Sequence, residues 1–161
     1  MTNSKTDELE GQLLGLIFCN ISDYFNSGGA LRIGSSATGS LYLSLHTANP
    51  TALVTSQTTY EADYVGYARL GLARQYGYSS GQWGLDGTIN SVEHWLDFTA
   101  AWYTRLDFPV VQSGSLTVTH YIIGTELSGS GKPLYYGELP TPLALTVGSH
   151  PVIIGLSAQE E

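Results

Sequence analysis

The spacing of apolar positions along the chain changes near residue 40. Before that point, apolar side chains recur with the period of an α-helix, and the stripe consists of Leu9, Leu13, Leu16, Ile17 and Ile21. This pattern predicts a helix over residues 7–25, ended by the Gly- and Ser-rich stretch 26–40. Because a lone amphipathic helix would leave its stripe in water, we expect residues 1–25 to dock on the protein body or on a neighbour.

From residue 41 the period becomes two, as in β-strands. Strand-like segments, separated by Gly, Ser and Pro clusters, are 41–47, 64–74, 91–98, 115–127, 132–139 and 143–156. Pro140 and Pro142 should lie on a sheet edge or in a connection, because neither can donate a ladder hydrogen bond. Short strands at this spacing predict a β-sandwich or barrel, organised as a helix and linker over 1–30 and one domain over 31–161.

The first two strand-like segments carry specific expectations. Segment 41–47 alternates three leucines with Tyr42, Ser44 and His46, which predicts a strand buried on its leucine face only. Segment 64–74 predicts a second strand, and its inward candidates are Tyr67, Leu70 and Leu72.

Composition narrows the classes of partner. The chain has 14 acidic and 6 basic residues and a formal net charge of -8, which makes nucleic acid and anionic membranes poor partners. Only 12% of residues are charged, whereas Gly and Tyr are abundant, as in an all-β protein that packs against other copies or other proteins. Cys19 is the single cysteine, so we expect a reduced thiol. The N-terminus lacks a signal-like pattern, so we expect synthesis in a cytoplasm.

Two short motifs resemble catalytic signatures. The tetrad Gly129 to Lys132 suggests a phosphate-binding loop, but Glu126 stands where that loop needs glycine and Pro133 where it needs Ser or Thr. A tight turn between two strands is the better interpretation. Residues 77–81 spell G-x-S-x-G with Ser79 as nucleophile, but neither the helix nor the parallel sheet that this chemistry requires is predicted.

The histidines and carboxylates of the sequence do not form the closely spaced groups that are typical of metal sites or catalytic sites. The four histidines are His46, His94, His120 and His150. They never form the close pairs of metal motifs, although a sheet could bring His46 and His120 together. A glycosidase uses two carboxyl groups that flank the bond it cleaves, and Asp86 with Asp97 or Glu61 with Asp63 could form such a pair. Nothing in the spacing of these residues distinguishes them from other acidic residues of the chain. Tyr-rich stretches could stack on sugar rings or fill sheet faces, and composition leaves both open.

Several segments together resemble a family of small bacteriophage virion proteins described as tail-fibre-like, cement or decoration proteins. In order, they are "LEGQLLGLIF", "LYLSLHTANP", "YVGYAR", "LDFP", "TVTHYIIGTELSGSGKPLYYGEL" and "LTVGSHPVIIGLSA". The segment before Phe108 is longer than in the family pattern and adds Trp95, Trp102 and Tyr103. That addition is a candidate contact surface.

The resemblance implies a mainly β protein: an antiparallel, jelly-roll-like β-sandwich with one N-terminal helix. It implies a capsid decoration protein that binds the major capsid protein as a homotrimer on the capsid surface and needs no active site, cofactor or metal. Arginines form bidentate contacts suited to interfaces, so Arg69 and Arg74 are further candidates for interfacial pairing. The alternative for each of these arginines is a surface side chain that pairs with a nearby carboxylate of its own chain. The expected interface residues are Leu13, Leu16, Ile17, Arg32, Trp95, Trp102, Tyr103 and Arg105. A tail, baseplate or fibre component is the closest alternative, and a carbohydrate-binding module is a further one.

Overall fold

A computed structural model describes residues 13, 15–18, 39–74, 94–97 and 105–160. Residues 13 and 15–18 are helical, inside the predicted helix 7–25, and the remainder of that prediction lies outside the described residues. The described residues form eight strands: β1 Ser40–His46, β2 Leu70–Ala73, β3 His94–Asp97, β4 Arg105–Asp107, β5 Leu116–Gly124, β6 Pro133–Leu145, β7 Val152–Ile154 and β8 Ser157–Glu160. No helix among the described residues is long and apolar enough to cross a membrane.

The prediction of a mainly β chain with antiparallel strands and an N-terminal helix is confirmed, while the jelly-roll sandwich remains a prediction. The chain divides into two compact units. Unit 1 comprises Met1–Gly39, Ala73–Thr104 and Ile154–Glu161, and unit 2 comprises Ser40–Leu72 and Arg105–Ile153. The predicted boundary near residue 30 lies outside the described residues, so the division into 1–30 and 31–161 remains a prediction.

Unit 2 contains a four-stranded sheet in the order β2-β1-β5-β6. The β1–β5 and β5–β6 ladders are antiparallel, and the central register places His46 opposite His120 and Ser44 opposite Ile122. β4 and β7 form a separate two-stranded sheet. In unit 1, β3 pairs antiparallel with β8.

The core of unit 2 surrounds the two central strands. Leu43, Leu45 and Ile123 are completely buried, as the alternation predicted. The prediction that β1 is buried on one face only is wrong, because Ser44 and His46 on its other face are also completely buried. The segment 57–61 covers that face: the ring of His46 contacts the carbonyl of Thr59, and Thr47 N–H donates to the Tyr60 carbonyl at 2.8 Å.

Within the predicted strand 64–74, only the residues of β2, Leu70–Ala73, form a strand. The predicted strand fails over 64–69 because the chain turns there, with Tyr67 N–H donating to the Tyr64 carbonyl at 3.0 Å. Gly66 has φ of 98°, and a Cβ on it would lie 2.9 Å from the Val110 carbonyl oxygen. Only glycine adopts this backbone shape without strain in so close a contact.

Strand β6 merges two segments that the sequence analysis separated at Pro140 and Pro142. It is an edge strand of the four-stranded sheet, and its register with β5 shifts between Val118 and His120, opposite the two prolines. The edge location of the prolines is confirmed. An edge strand with an irregular ladder tolerates residues that lack an N–H donor, so the prolines do not end the strand.

Candidate functional site

The most elaborate polar cluster in the described residues surrounds Arg69 in unit 2. Its guanidinium forms a bidentate pair with Glu61, with Nε to Oε1 at 2.6 Å and Nη2 to Oε2 at 2.7 Å. Nη1 donates to the Glu126 carbonyl at 2.8 Å, and Nη2 donates also to the Gly129 carbonyl at 2.7 Å. Four of the five guanidinium N–H groups are therefore used within the chain. The side chain of Arg69 is only 3% exposed.

Tyr67 completes this cluster. Its hydroxyl donates to Oε1 of Glu61 at 3.0 Å and accepts from the backbone N–H of Leu45 at 3.0 Å. Burial, followed by the negative charge of Glu61, raises the pKa of Tyr67, so the hydroxyl stays protonated and keeps donating. The hydrogen bonds to Glu61 raise the pKa of Arg69. The cluster thus joins a charged pair, a neutral phenol and the backbone of β1.

The cluster holds the turn between β5 and β6 in place. That turn, residues 125–132, includes the Gly129 to Lys132 tetrad, and the prediction that the tetrad turns a corner is confirmed. A second anchor is Gln57, whose N–H donates to the Gly131 carbonyl at 3.0 Å and whose Oε1 accepts from Glu126 N–H at 3.0 Å. A Cβ on Gly124 would lie 2.2 Å from Gln57 Cδ, so glycine makes room for this side chain.

A cleft of about 400 Å³ lies between the Arg69 segment and the turn. Glu61, Tyr67 and Arg69 line one part, and Leu127, Ser128 and Gly129 line another. Most hydrogen-bonding groups of these side chains are committed to each other, as described above. The arrangement therefore fixes the turn rather than presenting poised reactive groups.

The convergence of His46 and His120 is confirmed by the register of β1 and β5. His46 Nδ1 lies 2.8 Å from the Thr59 carbonyl and Nε2 lies 2.8 Å from Ser44 Oγ, so a neutral ring donates from Nδ1 and accepts at Nε2. Burial lowers the pKa of His46 and keeps it neutral. His120 Nδ1 contacts Thr119 Oγ1 at 2.8 Å. Within the described ranges, no three His, Cys, Asp or Glu side chains form a group that could hold a metal ion.

The predicted interface residues fall into three groups. Leu13, Leu16 and Ile17 are helical and half-buried. Trp95 lies in β3, and Arg105 lies in β4 with Nε 2.7 Å from Oδ1 of Asp107. The remaining predicted residues lie outside the described ranges: Arg32, Trp102 and Tyr103, together with the motif residue Ser79. Their role at an interface remains a prediction.

The two further arginine candidates differ from the expectation. Arg69 is buried against its own chain, so its assignment to interfacial pairing is wrong. Arg74 donates from Nε to the Ile17 carbonyl at 2.6 Å and from Nη2 to the Leu16 carbonyl at 2.5 Å, within unit 1. Sequence reasoning missed the Arg69 cluster, although an arginine inside an apolar segment of a charge-poor chain was a usable signal.

Comparison with known protein families gives a match over most of the chain. The family model of Podophage GP4 fiber I protein gp80 matches residues 30–155. The chain belongs to this family. The gp80 fiber I family consists of phage virion structural proteins of the fibre type, so the expectation of a bacteriophage virion structural protein is confirmed. No curated protein matches this chain.

The matched range of the gp80 fiber I family contains the cluster around Arg69. Residues Gly66 to Arg69, which carried the resemblance, supply the close turn, the phenol and the buried guanidinium. Phe108 is buried and its ring stacks on Tyr67, with centroids 6.4 Å apart. Gly137 leaves room for the ring of Tyr121, because a Cβ there would lie 2.5 Å from the Tyr121 hydroxyl. Several of the residues behind the resemblance, Arg69 and Phe108 among them, therefore lie in the interior of unit 2.

Proposed function

We propose that this chain is a fibre-type component of the phage tail or baseplate, with unit 2 as a rigid module that positions its contact surfaces. The observation that carries the proposal is the match to a fibre protein family over residues 30–155. Support also comes from the cluster around Arg69, whose polar groups are used to fix a turn. Such use suits a scaffold that presents surfaces, so we propose no catalytic role.

Capsid decoration, the role that the sequence analysis favoured, is the competing proposal for the same virion structural protein. Decoration requires binding to the major capsid protein, and a fibre role requires contacts with other tail proteins and with other copies of the chain. The low charge content and the acidic balance support protein partners over nucleic acid or membrane in either case. The predicted homotrimer belongs to the decoration proposal and awaits measurement.

The copy number of the chain in purified virions distinguishes the two roles. Quantitative mass spectrometry with isotope-labelled peptides should give a ratio to the major capsid protein far below one if the chain is a fibre component. Immunogold labelling of intact particles should then mark the tail. A ratio near that of the capsid protein, with label over the head, would establish decoration and overturn the fibre proposal. Absence from purified virions would contradict both.

A further inference from the structure

A short segment, residues 57–60, lies over the polar face of β1, and we name it the strap. The ring of His46 lies 2.8 Å from the Thr59 carbonyl oxygen through Nδ1, and Thr47 N–H donates to the Tyr60 carbonyl at 2.8 Å. His46 is completely buried although it belongs to the polar face of β1. The strap therefore separates a titratable side chain from water.

The strap also anchors the turn 125–132 through its first residue, Gln57, which is completely buried. Its N–H donates to the Gly131 carbonyl at 3.0 Å, and its Oε1 accepts from Glu126 N–H at 3.0 Å. A Cβ on Gly124 or on Gly131 would overlap the Gln57 side chain, so both glycines leave room for it. One segment thus contacts both β1 and the turn that joins β5 to β6.

The titratable and charged groups around His46 come from each element packed against it. They are Glu61 directly after the strap, Tyr67 and Arg69 in the following segment, His120 opposite on β5, and Glu138 opposite His120 on β6. Burial has the largest effect and lowers the pKa of His46. The Thr59 carbonyl and the charge of Glu61 favour a charged ring, whereas Arg69 and His120 oppose it. Because burial prevails, the ring binds a proton more weakly under a closed strap than in water.

We propose that the strap is an acid-sensitive closure: when His46 takes up a proton, the strap opens and the Gln57 anchor of the turn is lost, while β1 and β5 stay paired. The neutral ring donates from Nδ1 to the Thr59 carbonyl and accepts at Nε2 from the Ser44 hydroxyl. A proton on Nε2 removes this acceptor and places a charge on a completely buried ring. Burying a charge is costly, and an open strap lets water hydrate it. Acidity therefore shifts the strap from closed to open.

The contacts on either side of Tyr60 keep the opening local. Glu61 is held by its buried bidentate pair with Arg69, which also binds two carbonyls of the turn. An open strap therefore removes only the Gln57 anchor and leaves the Arg69 anchor in place. Tyr60 itself has φ of 59°, in the left-handed region that large side chains rarely adopt. Opening releases this constraint, which makes the strap easier to lift than the strands beneath it.

Amide hydrogen exchange in the full chain, followed by NMR at about pH 7.5 and about pH 5.5, tests the proposal. Thr47 N–H and Glu126 N–H both donate to the strap, at 2.8 Å and 3.0 Å. Their protection factors, which are corrected for the intrinsic effect of pH, should fall by about tenfold at the lower pH, because an exposed histidine titrates near pH 6.5. Thr125 N–H is the matched reference, since it donates to the Lys132 carbonyl inside the turn at 3.1 Å. Its protection factor should change by less than about twofold.

Two histidine variants assign the effect to His46. In His46→Gln the buried position no longer titrates, so the protection factors of Thr47 and Glu126 should not depend on pH. His120→Gln removes the ring on the neighbouring strand and should keep the fall seen in the wild type. A fall that persists in His46→Gln, or that is lost in His120→Gln alone, would overturn the proposal.

The wild-type chain alone also decides the question, even if His46→Gln does not fold. An equal fall at Thr47, Glu126 and Thr125 would mean that the whole of unit 2 loosens in acid. No fall at Thr47 and Glu126 would mean that the strap stays closed. Either result would overturn the proposal. The exchange measurement does not depend on where the chain lies in the virion, so its failure is distinguishable from a failure of the fibre proposal.

Discussion

Two arginine–carboxylate pairs of unit 2 have nearly the same N···O distance, but one pair is buried and the other is exposed. Arg69 and Glu61 are 2.6 Å apart with side chains 3% and 14% exposed, and Arg105 and Asp107 are 2.7 Å apart with side chains 57% and 40% exposed. The first pair also binds two carbonyls of a distant turn, whereas the second joins neighbours on one short strand. Burial and the number of satisfied groups, rather than distance, should decide what each pair contributes.

The largest effect is expected from removing the buried arginine. Arg69→Ala leaves the Glu61 carboxylate without its partner and frees two backbone carbonyls of the turn. We expect a loss of about 3–5 kcal/mol in the free energy of unfolding, measured by urea denaturation followed by circular dichroism. Arg69→Lys keeps the charge but loses the bidentate geometry, so it should lie between the wild type and Arg69→Ala.

A double substitution sharpens this prediction. Replacing Arg69 by Met together with Glu61 by Leu removes both charges and fills similar volume, so the double variant should be more stable than Arg69→Met alone. A double variant as unstable as the sum of the two single variants would mean that the pair acts through independent contacts. If Arg69→Ala lowers the free energy of unfolding by less than about 1 kcal/mol, the cluster contributes no more than an ordinary surface ion pair does.

The second anchor of the turn should give a smaller loss. Gly124→Ala places a Cβ 2.2 Å from Gln57 Cδ, so Gln57 must move and release the N–H of Glu126. We expect a loss of about 1–3 kcal/mol in the free energy of unfolding. Gly71→Ala is the matched control, since its nearest side-chain atom, on Tyr42, lies at 3.8 Å. The control should cost less than about 0.5 kcal/mol, and equal losses at both glycines would contradict the steric explanation.

The buried histidine predicts a pH dependence of stability. Because burial lowers the pKa of His46 below its ordinary value of 6.5, the unfolded chain binds a proton first as pH falls. Stability should therefore decrease below about pH 6.5 and level off below the folded pKa. His46→Gln should flatten this part of the stability profile, measured by denaturation at a series of pH values. The same substitution at exposed His150 is the control. If the free energy of unfolding of His46→Gln falls with pH as steeply as that of the wild type, His46 is not the source of the pH dependence.

Sequence patterns predicted strands β1 and β5, which are rich in apolar and β-branched residues and bounded by turn-forming clusters, and the edge location of Pro140 and Pro142. They failed where tertiary contacts override local preference. Residues 64–69 read as a strand, but Gly66 approaches the Val110 carbonyl and the chain turns. The Arg69 cluster was missed because its two carbonyl partners, on Glu126 and Gly129, come from a turn about 60 residues away, and a pattern along one segment carries no information about that turn.

The exposed pair gives the smallest expected effect on stability and the clearest test of an interfacial role. Arg105→Ala removes an ion pair in water, so the free energy of unfolding should fall by less than about 1 kcal/mol, and by less still at high salt. Arg105 is also a predicted interface residue. If it contacts another virion protein, Arg105→Ala should reduce incorporation into particles although the isolated chain is as stable as the wild type. Unchanged incorporation would remove Arg105 from the interface, and its pairing with Asp107 would then be a local surface contact only.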